Sequence, residues 1–158
     1  MRNTKVIAAF PACGKTYCFD RHEDYIILDS DSSLFSWVYP NGFAPRYRNP
    51  EFPKNYIEHI KENIGKVDYI FVSTHEEVRK ALDDAGIDFI VVFPKESLKA
   101  EWVGRCFLRG SGPQFCTMLA ENWDTWIGQM WDEAICNKRA HYVLQSGEYI
   151  SDILEDIK

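Results

Sequence analysis

Short unbroken apolar runs alternate along the chain with stretches whose apolar residues recur every three or four positions. Val6–Phe10, Tyr25–Leu28, Tyr69–Val72 and Phe89–Phe93 are such runs, rich in β-branched and aromatic side chains, and Tyr142–Leu144 is a weaker fifth. Because they are apolar throughout, the first four suit strands of a parallel sheet covered on both faces. Helical spacing fills the gaps. Pro53 stands at a first helical position before Tyr56, Ile57, Ile60 and Ile64, and Val78, Ala81, Leu82 and Ala85 share a face that Gly86 closes. Ser97 reads as the cap of a helix running to Arg109. The longest periodic segment is Gln114–Lys138, whose tryptophans read as core, and Ile150, Ile153, Leu154 and Ile157 form a last amphipathic turn set. Strands alternating with helices predict a doubly wound α/β sheet. Tyr39–Pro53, punctuated by prolines, is the one long irregular stretch, and such loops are often functional.

Composition narrows the classes. The chain has 158 residues, enough for a single domain with its own core and no disulfide or metal staple. It carries 18 basic against 24 acidic side chains, a net charge of −6, with no basic run. Binding duplex nucleic acid by phosphate neutralisation is therefore not expected. No apolar run approaches the ~18 residues of a membrane span. The five cysteines show no metal-binding spacing and read as thiols of a reducing compartment. Arg2 and Lys5 ahead of Val6–Phe10 imitate a short leader, but the apolar stretch ends at Pro11, so the expectation is a cytoplasmic protein.

The first run leads into Ala9-Phe10-Pro11-Ala12-Cys13-Gly14-Lys15-Thr16, a glycine-lysine-threonine triplet between a strand and a helix. In that context backbone N–H groups converge on phosphate oxygens, Lys15 reaches the β- and γ-phosphates, and the Thr16 hydroxyl ligates Mg²⁺. The segment resembles the Walker A loop of the P-loop kinases and NTPases. It departs from that pattern at Ala9, where the first glycine would stand. Cys13 reads as a small spacer, with a reactive thiol as the alternative.

The second run ends in Asp29-Ser30-Asp31. Alternate residues of an extended segment point the same way, so the two carboxylates face the same side as the phosphate loop's edge of the sheet. Such a pair suits Mg²⁺ binding and proton acceptance from a substrate hydroxyl. It resembles the D-x-D of shikimate- and gluconate-kinase-type enzymes. The plain alternative is a cap for a helix at Leu34–Trp37. The third run ends in Ser73-Thr74-His75 without a carboxylate, which leaves the metal to Asp29 and Asp31. Thr74 with Glu77 reads as a capping box, His75 as a substrate contact, and Arg79 as a solvated charge.

Arg105 and Arg109 lie one helical turn apart ahead of Gly110-Ser111-Gly112-Pro113. This resembles the lid of nucleotide and small-metabolite kinases (residues 97–113), whose arginines close on the transferred phosphoryl group. A salt bridge from Glu101 is the plain reading of Arg105. The resemblance further implies a three-layer sandwich around a five-stranded sheet in strand order 2-3-1-4-5, and a loop at Gln145–Glu148 against the adenine base. It implies MgATP on Ala9, Pro11, Ala12, Cys13, Gly14, Lys15 and Thr16. The acceptor is expected on a segment spanning residues 35–64, with Trp37 against a base and Arg46 and Arg48 on a phosphate. The expected activity is an ATP-dependent kinase, acting on a nucleoside or nucleotide. The alternatives are a small-metabolite kinase or a non-kinase P-loop nucleotide-binding protein.

Overall fold

The computed structural model describes residues 1–21 and 23–157. Five strands form a parallel sheet: β1 (Lys5–Ala9), β2 (Ile27–Asp29), β5 (Tyr69–Val72), β6 (Ile90–Pro94) and β7 (His141–Leu144). Their spatial order is β2-β5-β1-β6-β7, the 2-3-1-4-5 arrangement expected above. Every residue of β5 is buried, as are the last four of β1 and of β6. Since successive side chains point to opposite faces, burial of all of them means that helices cover both sides. The edge strands β2 and β7 are less buried, and for β7 this accounts for its weaker apolar run.

The helices are α1 (Lys15–Arg21), α2 (Ser33–Ser36), α3 (Lys54–Asn63), α4 (Glu76–Asp84), α5 (Lys99–Leu108), α6 (Pro113–Cys136) and α7 (Ile150–Ile153). α1 packs on α7, α3 on α4, and α6 on both α5 and β6. One continuous apolar cluster runs from Val6 to Ile157. At its centre Phe10 meets the Trp123 ring edge-on at 5.6 Å. Ile150, Ile153, Leu154 and Ile157 are all buried, so the last turn set anchors the chain's end in the core.

Several local expectations give way to tertiary contacts. Pro53 is the N-cap of α3 and not its first residue. The Thr74–Glu77 capping box does not form: His75 is the N-cap of α4, and Glu77 is drawn to Arg48 at 2.6 Å. Ser97 lies inside a short 3₁₀ turn, Glu96–Leu98, that precedes α5. Within the irregular stretch, β3 (Trp37–Val38) and β4 (Tyr47–Arg48) pair antiparallel as a small hairpin. Arg79 is no solvated charge. It is buried, pairs with Glu133 of α6, and its Nε donates to the Thr74 carbonyl at 2.9 Å.

Candidate active site

The phosphate loop leaves β1 at Ala9, which is fully buried and still paired with Val92. The bend therefore needs no glycine there. Left-handed backbone is used instead at Ala12 (φ 61°) and Gly14 (φ 84°). At Ala12 this costs about 1–2 kcal/mol, since a Cβ crowds the following carbonyl. Gly14 has a second constraint: a Cβ built on it would stand 2.9 Å from Tyr149 Cδ1. Tyr149 is held there because the next residue's N–H, that of Ile150, donates to the Cys13 carbonyl at 2.8 Å. Nothing local in the sequence marks Tyr149.

Lys15 folds back over the loop, its Nζ donating to the Ala9 carbonyl at 3.1 Å. Burial lowers its pKa, and nearby Arg109 pushes the same way against Cys13, Asp29 and Asp31. An ammonium so placed gains from an incoming phosphate, which supplies the counter-charge that the loop lacks. Thr16 Oγ1 donates to Asp29 Oδ2 at 3.1 Å, so these two side chains meet at the head of α1. Asp31 Oδ1 accepts the Ser33 N–H at 2.9 Å, closing a turn just ahead of α2, whose N-cap is Ser32 and not Asp31. The pair is thus divided: Asp29 faces Thr16, and Asp31 lines a separate cavity of about 350 Å³ with Ser36, Trp37, Arg48 and His75. The Cys13 thiol is buried and its pKa is pushed up to about 12, so it is a spacer and no nucleophile.

Arg105 and Arg109 separate in the same way. Arg105 lies between the rings of Trp102 (3.7 Å) and Tyr149 (4.0 Å). It pairs with Glu101 at 3.1 Å and reaches the Ala12 carbonyl at 3.4 Å, so it braces the phosphate loop from above. Glu101 also accepts from Ser146 Oγ at 2.5 Å and the Gly147 N–H at 3.2 Å. The Ser146 hydrogen bond leads the causes that hold this carboxyl below its ordinary range. Glu101 therefore ties the 145–148 loop to α5, a role its sequence spacing concealed. Arg109 is exposed just past the end of α5, where its Nε donates to Ser111 Oγ at 2.6 Å and its guanidinium lies 5.8 Å from the Phe115 ring. Lys15, Thr16, Arg105, Arg109 and Tyr149 line one cavity of about 440 Å³.

On the other side of the cleft, Arg46 lies 3.8 Å over the Trp37 ring. Arg48 is 5.5 Å from that ring and is paired with Glu77. His75 lines the Asp31 cavity, and burial, with Lys15 and Arg48, lowers its pKa. A cleft of about 720 Å³ lies at the opposite edge of the sheet around Lys5, Asp83, Asp88 and Arg139, away from all these groups. Among the described residues no cluster of three or more His, Cys, Asp and Glu side chains is placed to hold a metal ion, and no helix is long and apolar enough to cross a membrane.

No protein-family model matches the chain, and no curated protein matches it in sequence. Among solved structures, a gluconokinase from Sinorhizobium meliloti 1021 aligns with 98% of this chain and 88% of its own, at TM-score 0.51 and 13% identity. At that identity the likeness is one of fold. The chain thus shares with that gluconokinase an α/β fold, a five-stranded parallel sheet flanked by helices, with the Ala9–Thr16 loop after its first strand.

Proposed function

We propose that this chain is an ATP-dependent phosphotransferase that moves the γ-phosphoryl group of MgATP to a nucleoside or nucleotide. The observation that carries the reading is the convergence of Lys15, Thr16 and Arg109 on one cavity beneath Tyr149, with Asp29 bonded to Thr16. A hydroxyl and a carboxylate 3.1 Å apart are hard oxygen donors of the kind Mg²⁺ prefers. Mg²⁺ usually takes one or two protein oxygens and the rest from phosphate and water, so Thr16 and Asp29 fit it without a larger cluster. Bound there, the ion would neutralise charge on the phosphates. Ala9, Pro11, Ala12, Cys13 and Gly14 shape the loop that receives them.

Asp31, on the acceptor side, is the candidate to accept the attacking hydroxyl's proton. Arg109, exposed and without an ion pair, is the candidate to meet charge on the phosphoryl group in transfer. Arg105 supports the loop under it. Arg46, already over Trp37, would grip an acceptor phosphate there. The five free thiols, four of them buried, support a reducing, cytoplasmic setting.

A small-metabolite kinase of the gluconate type is the second reading, favoured by the fold of the gluconokinase neighbour. A coupled ADP-release assay with MgATP and pooled nucleosides, nucleoside monophosphates, sugars and polyols separates the two. Acceptor-dependent ADP that disappears in Lys15→Ala is the expected result, and the active pool names the class. ATP binding without stimulation by any pool would make the chain a nucleotide-binding protein and end the kinase reading.

A further inference from the structure

A third cavity, about 160 Å³, lies between the phosphate loop, the segment after β5 and the face of α6. Its walls are mainly apolar and aromatic: Phe10, Phe115, Trp126 and Met130, with Pro11 of the phosphate loop itself. His75 lines both this cavity and the one over Asp31, so the two meet at that side chain. We propose that this cavity receives the monocyclic base of a pyrimidine nucleoside, with the Gln129 side-chain amide donating to the base carbonyl. The proposal deepens the phosphotransferase reading and rests on it for the fate of the sugar hydroxyl, which would extend past His75 toward Asp31.

Size, polarity and one oriented donor support it. A cavity of about 150 Å³ accommodates one benzene ring, so this one fits a six-membered ring and crowds a fused bicycle. Aromatic walls suit a planar ring. Gluconate would meet the Glu76 carboxylate, which lines the cavity beside Thr74 and His75, as a like charge. The donor is set by Arg79. Its guanidinium carries only donors, and its Nη2 lies 3.4 Å from Gln129 Oε1. The amide oxygen must therefore face Arg79, which is itself fixed by Glu133 and the Thr74 carbonyl. Gln129 Nε2 remains as the free end of an amide that lines the cavity, and every pyrimidine base carries a carbonyl at C2 to accept from it. The aromatic side chains of α6 read from sequence as core. Trp123 is core, whereas Trp126 is only partly buried and forms a wall.

Calorimetric titration of the full chain with uridine, adenosine and gluconate, each with and without saturating ADP, tests this. Uridine should bind whether or not ADP is present, at least about tenfold more tightly than gluconate or than adenosine in the ADP arm. Gln129→Leu should weaken uridine about tenfold, the value of one neutral hydrogen bond. Met118→Trp, a change at a half-exposed position on the same wall, should block it by filling space. Circular dichroism checks that both variants fold. Uridine binding untouched by both substitutions, or ADP-insensitive adenosine binding as tight as uridine's, overturns the proposal. Phosphorylation of gluconate with no uridine binding overturns it and leaves the kinase reading standing. Gln129-dependent uridine binding with no acceptor-dependent ADP release does the reverse.

Discussion

On the nucleotide side, Cys13 and Gly14 lie under Tyr149, the Ala12 carbonyl meets Arg105, and Trp102 Nε1 donates to the Pro11 carbonyl at 3.1 Å. On the acceptor side, residues 38–48 are exposed throughout and are joined by a ladder of two residues per strand. The first region is fixed by contacts from α5, α7 and the loop after β7, so its geometry exists before any ligand arrives. The second buries little apolar surface, and such segments open locally at small cost. Under the proposed phosphotransferase reading, preorganisation belongs to phosphate binding and rearrangement to acceptor capture.

Substitutions at paired positions on the two sides sharpen that contrast. The largest effect is expected at the lid. Arg109→Ala should lower kcat by about 10³-fold or more with little change in melting temperature, because its contacts to Ser111 and the Phe115 ring are exposed ones. Arg105→Ala should instead lower the melting temperature and raise KM for ATP, since it removes the brace over Ala12. Equal behaviour of the two variants would erase the distinction between them. Asp31→Asn should cost about 10²–10⁴ in kcat if its carboxylate accepts the proton. Asp29→Asn should act mainly through the Mg²⁺ dependence of the rate. A wild-type rate in both would leave Asp31 with only its turn bond to the Ser33 N–H.

Arg46→Ala should raise KM for the acceptor while moving the melting temperature by no more than about 2–4 °C, as exposed substitutions do. A large thermal loss would show that the hairpin is part of the rigid core after all. The smallest effect is a protection. With its pKa raised to about 12 by burial, the Cys13 thiol stays neutral at pH 8 and should resist alkylation, whereas the exposed Cys136 should be modified. Mass spectrometry of the native protein reads this directly, and early labelling at Cys13 would mean that the phosphate loop opens freely.

Much of the scaffold was legible because its causes are local. β5 and β6 are unbroken apolar runs, α6 shows its period over many turns, and Gly14-Lys15-Thr16 stands between a strand and a helix. The β3–β4 hairpin was not legible, since strands of two exposed residues leave no alternation to read. Glu77 fits a capping box by spacing, yet it pairs with Arg48, 29 positions away.

The sequence by itself determined the order of strands and helices and the glycine-lysine-threonine turn between β1 and α1, because backbone preference and side-chain periodicity act between near neighbours. Only the tertiary structure decided that Arg105 braces while Arg109 stays available, that Tyr149 covers Gly14, and that Arg79 turns inward to Glu133, 54 positions along the chain. Those outcomes depend on which distant groups the fold brings within hydrogen-bond reach, and no local pattern encodes that distance.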